Sequence, residues 1–318
     1  MIRDALFAIG ITFLLAATPA PQRADYITPD GRFRVVGYND MDEILGAATS
    51  RIAASGSPLR YDLELKSTRS APAALIAGTS LLAPMGAEMD RLERAAFRSA
   101  WNSDPVEFRI AHDSLVPGTL SSPSALLVAR ANPLRRISLA QIRRIFTGGG
   151  QGRWRDLGLH GVWARRRMRA VSLGADTAIG KFLLAGPLRA TAFAAAVETK
   201  RQSRDVAAEI AGDPAAIGLA NANFAGPGVR ALPIVDDKGS VIAPTPTGIR
   251  SGRYPFDRFL LIYARLEASG HLAPAARALL ESLLSPEGQR AIGEQARGYL
   301  PLNPSELLAE RQRLKKVQ

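Results

Sequence analysis

At 318 residues, 47% of them hydrophobic, the chain is long enough for one large unit or two lobes of ordinary size. It has no cysteine, which excludes disulfides, thiolate metal sites, a cysteine nucleophile and a lipid-modified N-terminal cysteine. The net charge is +12, from 41 Lys plus Arg against 29 Asp plus Glu, and only six of the basic residues are lysines; arginine spread along the whole chain describes a solvated basic surface better than a nucleic-acid patch.

The chain opens MIRDALFAIGITFLLAATPAPQ, a short charged start before an apolar run from Ala5 to Ala17. Thirteen residues are too few to cross a bilayer as a helix, and the small residues that follow suit a signal peptidase. Residues 1–20 are therefore expected to be a cleavable export signal, and the periplasm is the expected compartment. A core of this size needs no covalent staples there.

"RFRVVGY" (32–38) alternates like a strand, and "DMDEILGAATSRIAASG" (40–56) is an amphipathic helix behind Asn39 and Asp40, both good caps. A strand at 59–66 leads through Ser67, Thr68, Arg69 and Ser70 into a short helix ending at Gly78. A strand at 79–89 leaves into a Pro-Met-Gly turn, followed by a helix to Trp101 and strands at 106–115 and 124–133. A second series begins at Ser138, which forms a capping box with Gln141, and its helix ends at a glycine run, 148–150. It continues with a strand at 168–172, a helix after Thr177, a helix at 203–212 and a strand at 229–235. The last third returns with a strand in "YPFDRFLLIYAR" (254–265) and two helices, the second opened by Ser285 and Pro286. The charged end from Glu306 to Gln318 is expected to fray.

Alternating strands and helices imply α/β architecture. Two series with a return imply two lobes, each a mixed, mostly parallel sheet flanked by helices, joined by two crossing strands. The expected division is 25–130 plus 241–303 for the first lobe, 131–240 for the second, and 304–318 as a charged tail. Ligands of such sheets sit beyond the carboxyl ends of strands. The turns Tyr38–Met41, Ser67–Ser70, Ala83–Ala87 and Ser172–Thr177 are thus the places for a site.

Ser67-Thr68-Arg69-Ser70 gathers three hydroxyls and a guanidinium at a helix start, a set that suits a dehydrated oxyanion, or one in which Ser70 merely caps its helix. Arg169, Ser172, Gly174 and Thr177 form a second such set, with Asp176 among them. Asp176 either caps the helix or accepts the proton of a hydrogen-bearing anion. No catalytic set emerges: His112, His160 and His271 are scattered, and His112, Asp113 and Ser114 are neighbours on a strand, so they alternate between faces. No zinc helix motif, phosphate loop or nucleophile elbow is present, and no cofactor or metal is implied.

Four stretches resemble the periplasmic phosphate-binding proteins of ABC transporters, a branch of the type II solute-binding fold. "ANPLRRISLAQIRRIFTGGGQGRWRDLG" (131–158) is similar to that family's Asn-Pro turn, helix and Trp-x-Asp-Leu-Gly loop. "GDPAAIGLA" (212–220), "GRYPFDRFLLIYAR" (252–265) and "LLSPEGQRAIGEQARGYLPL" (283–302) resemble its Asp-Pro-x-Ala-Ile-Gly, Tyr-Pro-x-x-Arg and Ser-x-Glu-Gly-Gln signatures, in the right order. The resemblance covers about residues 32–302 and implies capture of a small oxyanion, phosphate first, by a monomer that delivers it to an inner-membrane ABC permease. It implies ligand contacts from Asn39, Asp40, Ser67, Thr68, Arg69, Ser70, Arg169, Ser172, Gly174, Asp176 and Thr177. The departures fall on these loops. Arg169 stands further from Thr177 than in the family, and Pro84–Ala87 lacks the acid that accepts the phosphate proton, a role Asp176 is then expected to take. These departures keep open a module with lost or altered ligand, serving interaction or sensing in the envelope, and, more remotely, an exported hydrolase or transferase using His112 or Asp113.

Overall fold

The computed structural model describes residues 25–148 and 152–317; the expected signal at 1–20 lies outside them. The first leg of the chain runs β1 (Phe33–Gly37), α1 (Asp42–Ala54), β2 (Tyr61–Leu65), α2 (Ser70–Ala77), β3 (Leu82–Met85), α3 (Arg91–Trp101) and β4 (Val106–His112). The second holds β5 (Ser124–Ala129), β6 (Ile137–Ser138), α4 (Leu139–Thr147), α5 (Gly161–Arg165), β7 (Arg169–Leu173) and α6 (Ala178–Ala185). It continues with β8 (Glu198–Lys200), α7 (Ser203–Gly212), β9 (Ala216–Asn221), β10 (Val229–Ala231), β11 (Ile234–Val235), β12 (Val241–Ile242) and α8 (Pro246–Arg250). The return leg is β13 (Phe259–Ala264), α9 (Pro274–Leu283), α10 (Pro286–Glu294), β14 (Leu300–Pro301) and α11 (Pro304–Lys315).

One sheet has the order β14-β4-β13-β3 and is antiparallel throughout. The parallel pair β1–β2 docks on β3, where Tyr38 N donates to Pro84 O at 3.0 Å. Gly37 permits that approach, since a Cβ there would lie 2.6 Å from Pro84 O. A second, five-stranded sheet is β10-β5-β9-β7-β8, with β7 parallel to β8 and β9 and with β5 running against β9 and β10; a small third sheet is β12-β11-β6, with β11 parallel to β6 and against β12. Pairing over the fold is mixed, as expected, but the parallel pairs, β1–β2, β6–β11, β7–β8 and β7–β9, are the minority where the sequence expectation was mostly parallel. The returning strand β13 slots between β3 and β4 and runs against both.

Each of the two larger sheets is covered on both faces. Along β13, Leu260 and Ile262 enter the core under α1 and α9, whereas Leu261 and Tyr263 face the core under α2 and α3. Along β5 and β9, Leu126, Val128, Ile217 and Leu219 join the core of α4 and α6, while Ala125, Leu127 and Ala220 meet α7. β5 thus belongs to the second sheet, although the sequence reading put it in the first lobe, and Ile249, Tyr254 and Phe256 pack in the second core. The two connections between the sheets lie side by side: Asp113 N donates to Arg258 O at 3.0 Å, and Ser124 N to Phe256 O at 3.0 Å.

Several helix starts follow the side-chain rules. Asp90 with Glu93, Ser138 with Gln141 and Asn303 with Glu306 are capping boxes, and Thr177 and Ser285 accept from the third helical N–H. Asn39 and Asp40 do not cap α1, whose cap is Met41 without a side-chain bond. The expected fraying tail is instead α11. Pro304 opens it at the first helical position, and Leu314, 3% exposed, anchors it in the first core.

Candidate functional site

The first rim is formed where β1, β2 and β3 end, and its centre is the peptide of Gly86. Thr68 Oγ1 accepts from Gly86 N at 3.1 Å, and Gly86 O accepts from Ser121 Oγ at 3.3 Å and from Arg258 Nη2 at 3.0 Å. Tyr38 Oη and Ser121 Oγ are 2.9 Å apart. A Cβ on Gly86 would fall 2.5 Å from the Tyr38 ring and 2.6 Å from Ser121 Oγ, so only glycine fits this cradle. Ser70 Oγ donates to Ser67 O at 2.8 Å, Ser67 is half-buried, and Arg69 is exposed. Asn39 is exposed as well, whereas Asp40 is buried and committed to Arg297, to the Tyr299 hydroxyl and to Leu120 N.

The second rim follows β7. Thr177 Oγ1 donates to Gly174 O at 2.7 Å and accepts from Gly180 N at 3.0 Å, so the helix is closed by its own threonine. Gly180 allows that turn, since a Cβ there would sit 2.0 Å from Gly174 O. Asp176 is exposed, with Arg201 Nη2 3.8 Å away, and does not reach the first rim. Arg169 must be removed from the site. It opens β7 opposite Ala216, at the far end of the strand from the rim, about 10 Å from Ser172 at the usual rise. There Glu198, Glu209 and Asp213 surround its guanidinium and hold its pKa above the ordinary value. Ser172 is different: it is fully buried, and its Oγ has no hydrogen-bond partner among the described residues.

The rims face one another across a seam. Lys181 Nζ of α6 lies 3.1 Å from Asp90 Oδ2 at the cap of α3. In the seam, Arg258 is 4% exposed, and its guanidinium carbon stands 5.5 Å from the centre of the Phe182 ring of α6. Its Nη1 is 3.9 Å from Asp113 Oδ2, yet Arg258 Nε and both Asp113 oxygens lack hydrogen-bond partners among the described residues. Burial pushes the Asp113 carboxyl up to about 7 against the pull of Arg258. Ser124 Oγ and Asn221 Oδ1 are also buried without partners. Ser124 pairs with Asn221 across β5 and β9, and by strand alternation Ser124, Ser172 and Asn221 share the sheet face that carries α6. Buried polar atoms left open are costly unless something completes them, so the seam has the chemistry of a polar ligand site.

His112 borders the seam and is held between two carboxylates. Its Nδ1 lies 2.7 Å from Asp257 Oδ2, and its Nε2 lies 2.9 Å from Glu306 Oε2, close enough for an ion pair but not aligned as a hydrogen bond. Burial alone would lower its pKa, but the two carboxylates outweigh it and raise it to about 9. No group of side chains among the described residues is arranged to hold a metal ion. Sequence reading did not select Arg258, Ser124 or Asn221, and it weighed Asp113 only for the exported-enzyme alternative. Arg258 was within view, since it is the arginine of the Tyr-Pro-x-x-Arg signature.

Two α/β lobes whose strand-end loops meet over a doubly crossed seam define the type II solute-binding fold. The chain is 23% identical over 303 residues to the phosphate-binding protein PstS of Pseudomonas aeruginosa, spanning 93% of this chain and 90% of that one. An ABC-type phosphate transport receptor of Vibrio cholerae superimposes with a TM-score of 0.56 at 16% identity, covering 84% of this chain and 98% of that one. PstS of Borrelia burgdorferi gives 0.55 at 14% identity, covering 85% and 98%. No protein-family model matches the chain. The resemblance read from the sequence is borne out by these relatives, and the solved structures share the fold.

Proposed function

We propose that the protein is a periplasmic solute-binding protein that captures a small oxyanion, phosphate first among the candidates, and presents it as a monomer to an inner-membrane ABC permease. The observation that carries this reading is the buried Arg258 with its open Nε, beside Phe182 of α6, together with the unpartnered Ser172, Ser124 and Asn221 on the sheet face that carries α6. A guanidinium with hydroxyl and amide groups in a dry seam is a strong oxyanion receptor. Asp113 supplies acceptors for a proton on the ligand, the part the sequence reading gave to Asp176. The lobes in this reading are 25–112 with 259–317 and 124–256, with the segments between them as the hinge. The names of its relatives as phosphate-binding and transport proteins support the ligand and the permease. No helix among the described residues is long and apolar enough to cross a membrane.

Isothermal titration of the mature chain with phosphate, sulfate, molybdate and arsenate tests the proposal. Binding of phosphate that drops at least tenfold in Arg258→Gln and Ser172→Ala, with unchanged circular dichroism, is expected. A second reading has its own observation: Thr68, Ser70, Thr177 and Arg169 are already satisfied inside the fold. That pattern suits a module whose ligand has been lost or altered. Heat from none of the four anions would decide for it and against capture.

A further inference from the structure

One segment away from the seam carries most of the net charge in the sequence. Between Arg130 and Met168 ten arginines stand against one carboxylate, Asp156, a net +9 in 39 residues of a chain whose total is +12. Part of this segment is gathered in space. A shallow groove of about 410 Å³ is bounded by Arg135 and Arg136 on one side and by Leu157 and Leu159 on the other. Beyond it, Arg153 pairs by its backbone with Arg167 and donates Nη1 to Arg165 O, joining the groove's far wall to α5. Trp163 of α5 packs edge-on against the buried Trp154, and the Arg166 guanidinium lies 4.5 Å from the Trp163 ring centre. Arg135, Arg136, Arg165, Arg166 and Arg167 are exposed and have no carboxylate within ion-pair distance among the described residues. Val162 projects from the same helix at 65% exposure.

We propose that this face is a docking surface for an anionic membrane leaflet, engaging lipid phosphates through its arginines and the headgroup boundary through Val162 and the Trp163 ring. Three features favour a lipid surface over an acidic protein. Five of its arginines carry no carboxylate partner among the described residues, so their charge stays open to an anionic plane. An exposed aliphatic side chain and a half-buried tryptophan stand among the arginines, the mixture found at membrane interfaces. Arginine forks match phosphate oxygens in pairs, and this cluster is almost wholly arginine. The inference is separate from anion capture in the seam, because none of these residues touches Arg258, Ser172 or Gly86.

The test is co-sedimentation of the mature chain with vesicles of phosphatidylglycerol mixed into phosphatidylcholine, against vesicles of phosphatidylcholine alone. Binding only to the anionic vesicles, weakened when salt is raised from about 50 to about 300 mM, is expected. Arg165→Gln, Arg166→Gln and Arg167→Gln together should cut the partition constant by about fivefold per arginine. A control with Arg60→Gln, Arg250→Gln and Arg311→Gln removes the same charge from exposed arginines outside the segment and should leave most of the binding. Equal loss in both variants, no vesicle binding at low salt, or retention on polyglutamate without vesicle binding would each overturn the proposal.

Discussion

His112 gives the sharpest prediction of pH-dependent stability. The imidazole is closed in by Asp257 from the crossover, Glu306 from α11 and the Phe259 ring at 4.8 Å, and Arg109 of its own strand holds its guanidinium 4.6 Å from that ring's centre. Its folded-state pKa, about 9, stands above the ordinary value of 6.5. A group raised in this way stabilises the fold fully below the unfolded value, and the contribution is lost as pH climbs through the folded one. The difference corresponds to about 3 kcal/mol. Burial also raises the Asp113 carboxyl to about 7, so its own loss falls around and below that pH, and the His112 share is read above it. Urea unfolding followed by tryptophan fluorescence from about pH 6 to about pH 10 should therefore show that loss in the unmodified protein. His112→Gln, which cannot take up the proton, should be less stable near pH 6, because it leaves two carboxylates without their cation, and should be flatter above it. If His112→Gln declined with the same slope across that range, the ion-pair account of this residue would be wrong.

Other substitutions test the scaffold. Leu314→Ala removes the buried anchor of α11 and should cost about 2–4 kcal/mol, with faster amide exchange confined at first to the last helix. Gly86→Ala should cost about 1–3 kcal/mol because Tyr38 and Ser121 must move; a thermal midpoint equal to that of the parent would refute the cradle. Thr177→Ala should cost about 1 kcal/mol, and Asp176→Asn less than about half of that. The reverse order would mean that the aspartate is the cap.

The scaffold was legible wherever the signal is local. Periodicity located β1, α1, β4 and the strand in 254–265 to within a few residues, and Ser138, Ser285 and Thr177 cap as their types suggest. α11 was legible too but was passed over: Asn303, Pro304 and Glu306 spell a capping box with proline at the first position, and the charge that followed masked it. Strand direction was not legible. Nothing local in Phe259–Ala264 tells that it will lie between β3 and β4, running against each, because that pairing is made by residues more than a hundred positions away. The assignment of β5 to the second sheet failed in the reading for the same reason.

The site divides along another line. Sequence identifies residues able to hold an anion, but a ligand can use only those that the fold leaves unsatisfied. Arg169 and Arg258 are the same side chain, and each precedes or follows a recognisable motif. Arg169 falls at the wrong end of β7 and among three carboxylates, so its hydrogen bonds are committed before any ligand arrives. Arg258 falls where the chain crosses between lobes, beside a backbone carbonyl and a fully buried aspartate that does not complete it. The same contrast separates Thr177, which closes its helix, from Ser172, three residues before the turn that helix begins on and with nothing to bond. Residue type marks what could receive a guest; only the accounting of donors and acceptors in three dimensions separates the residues free to do so from those that hold the walls together.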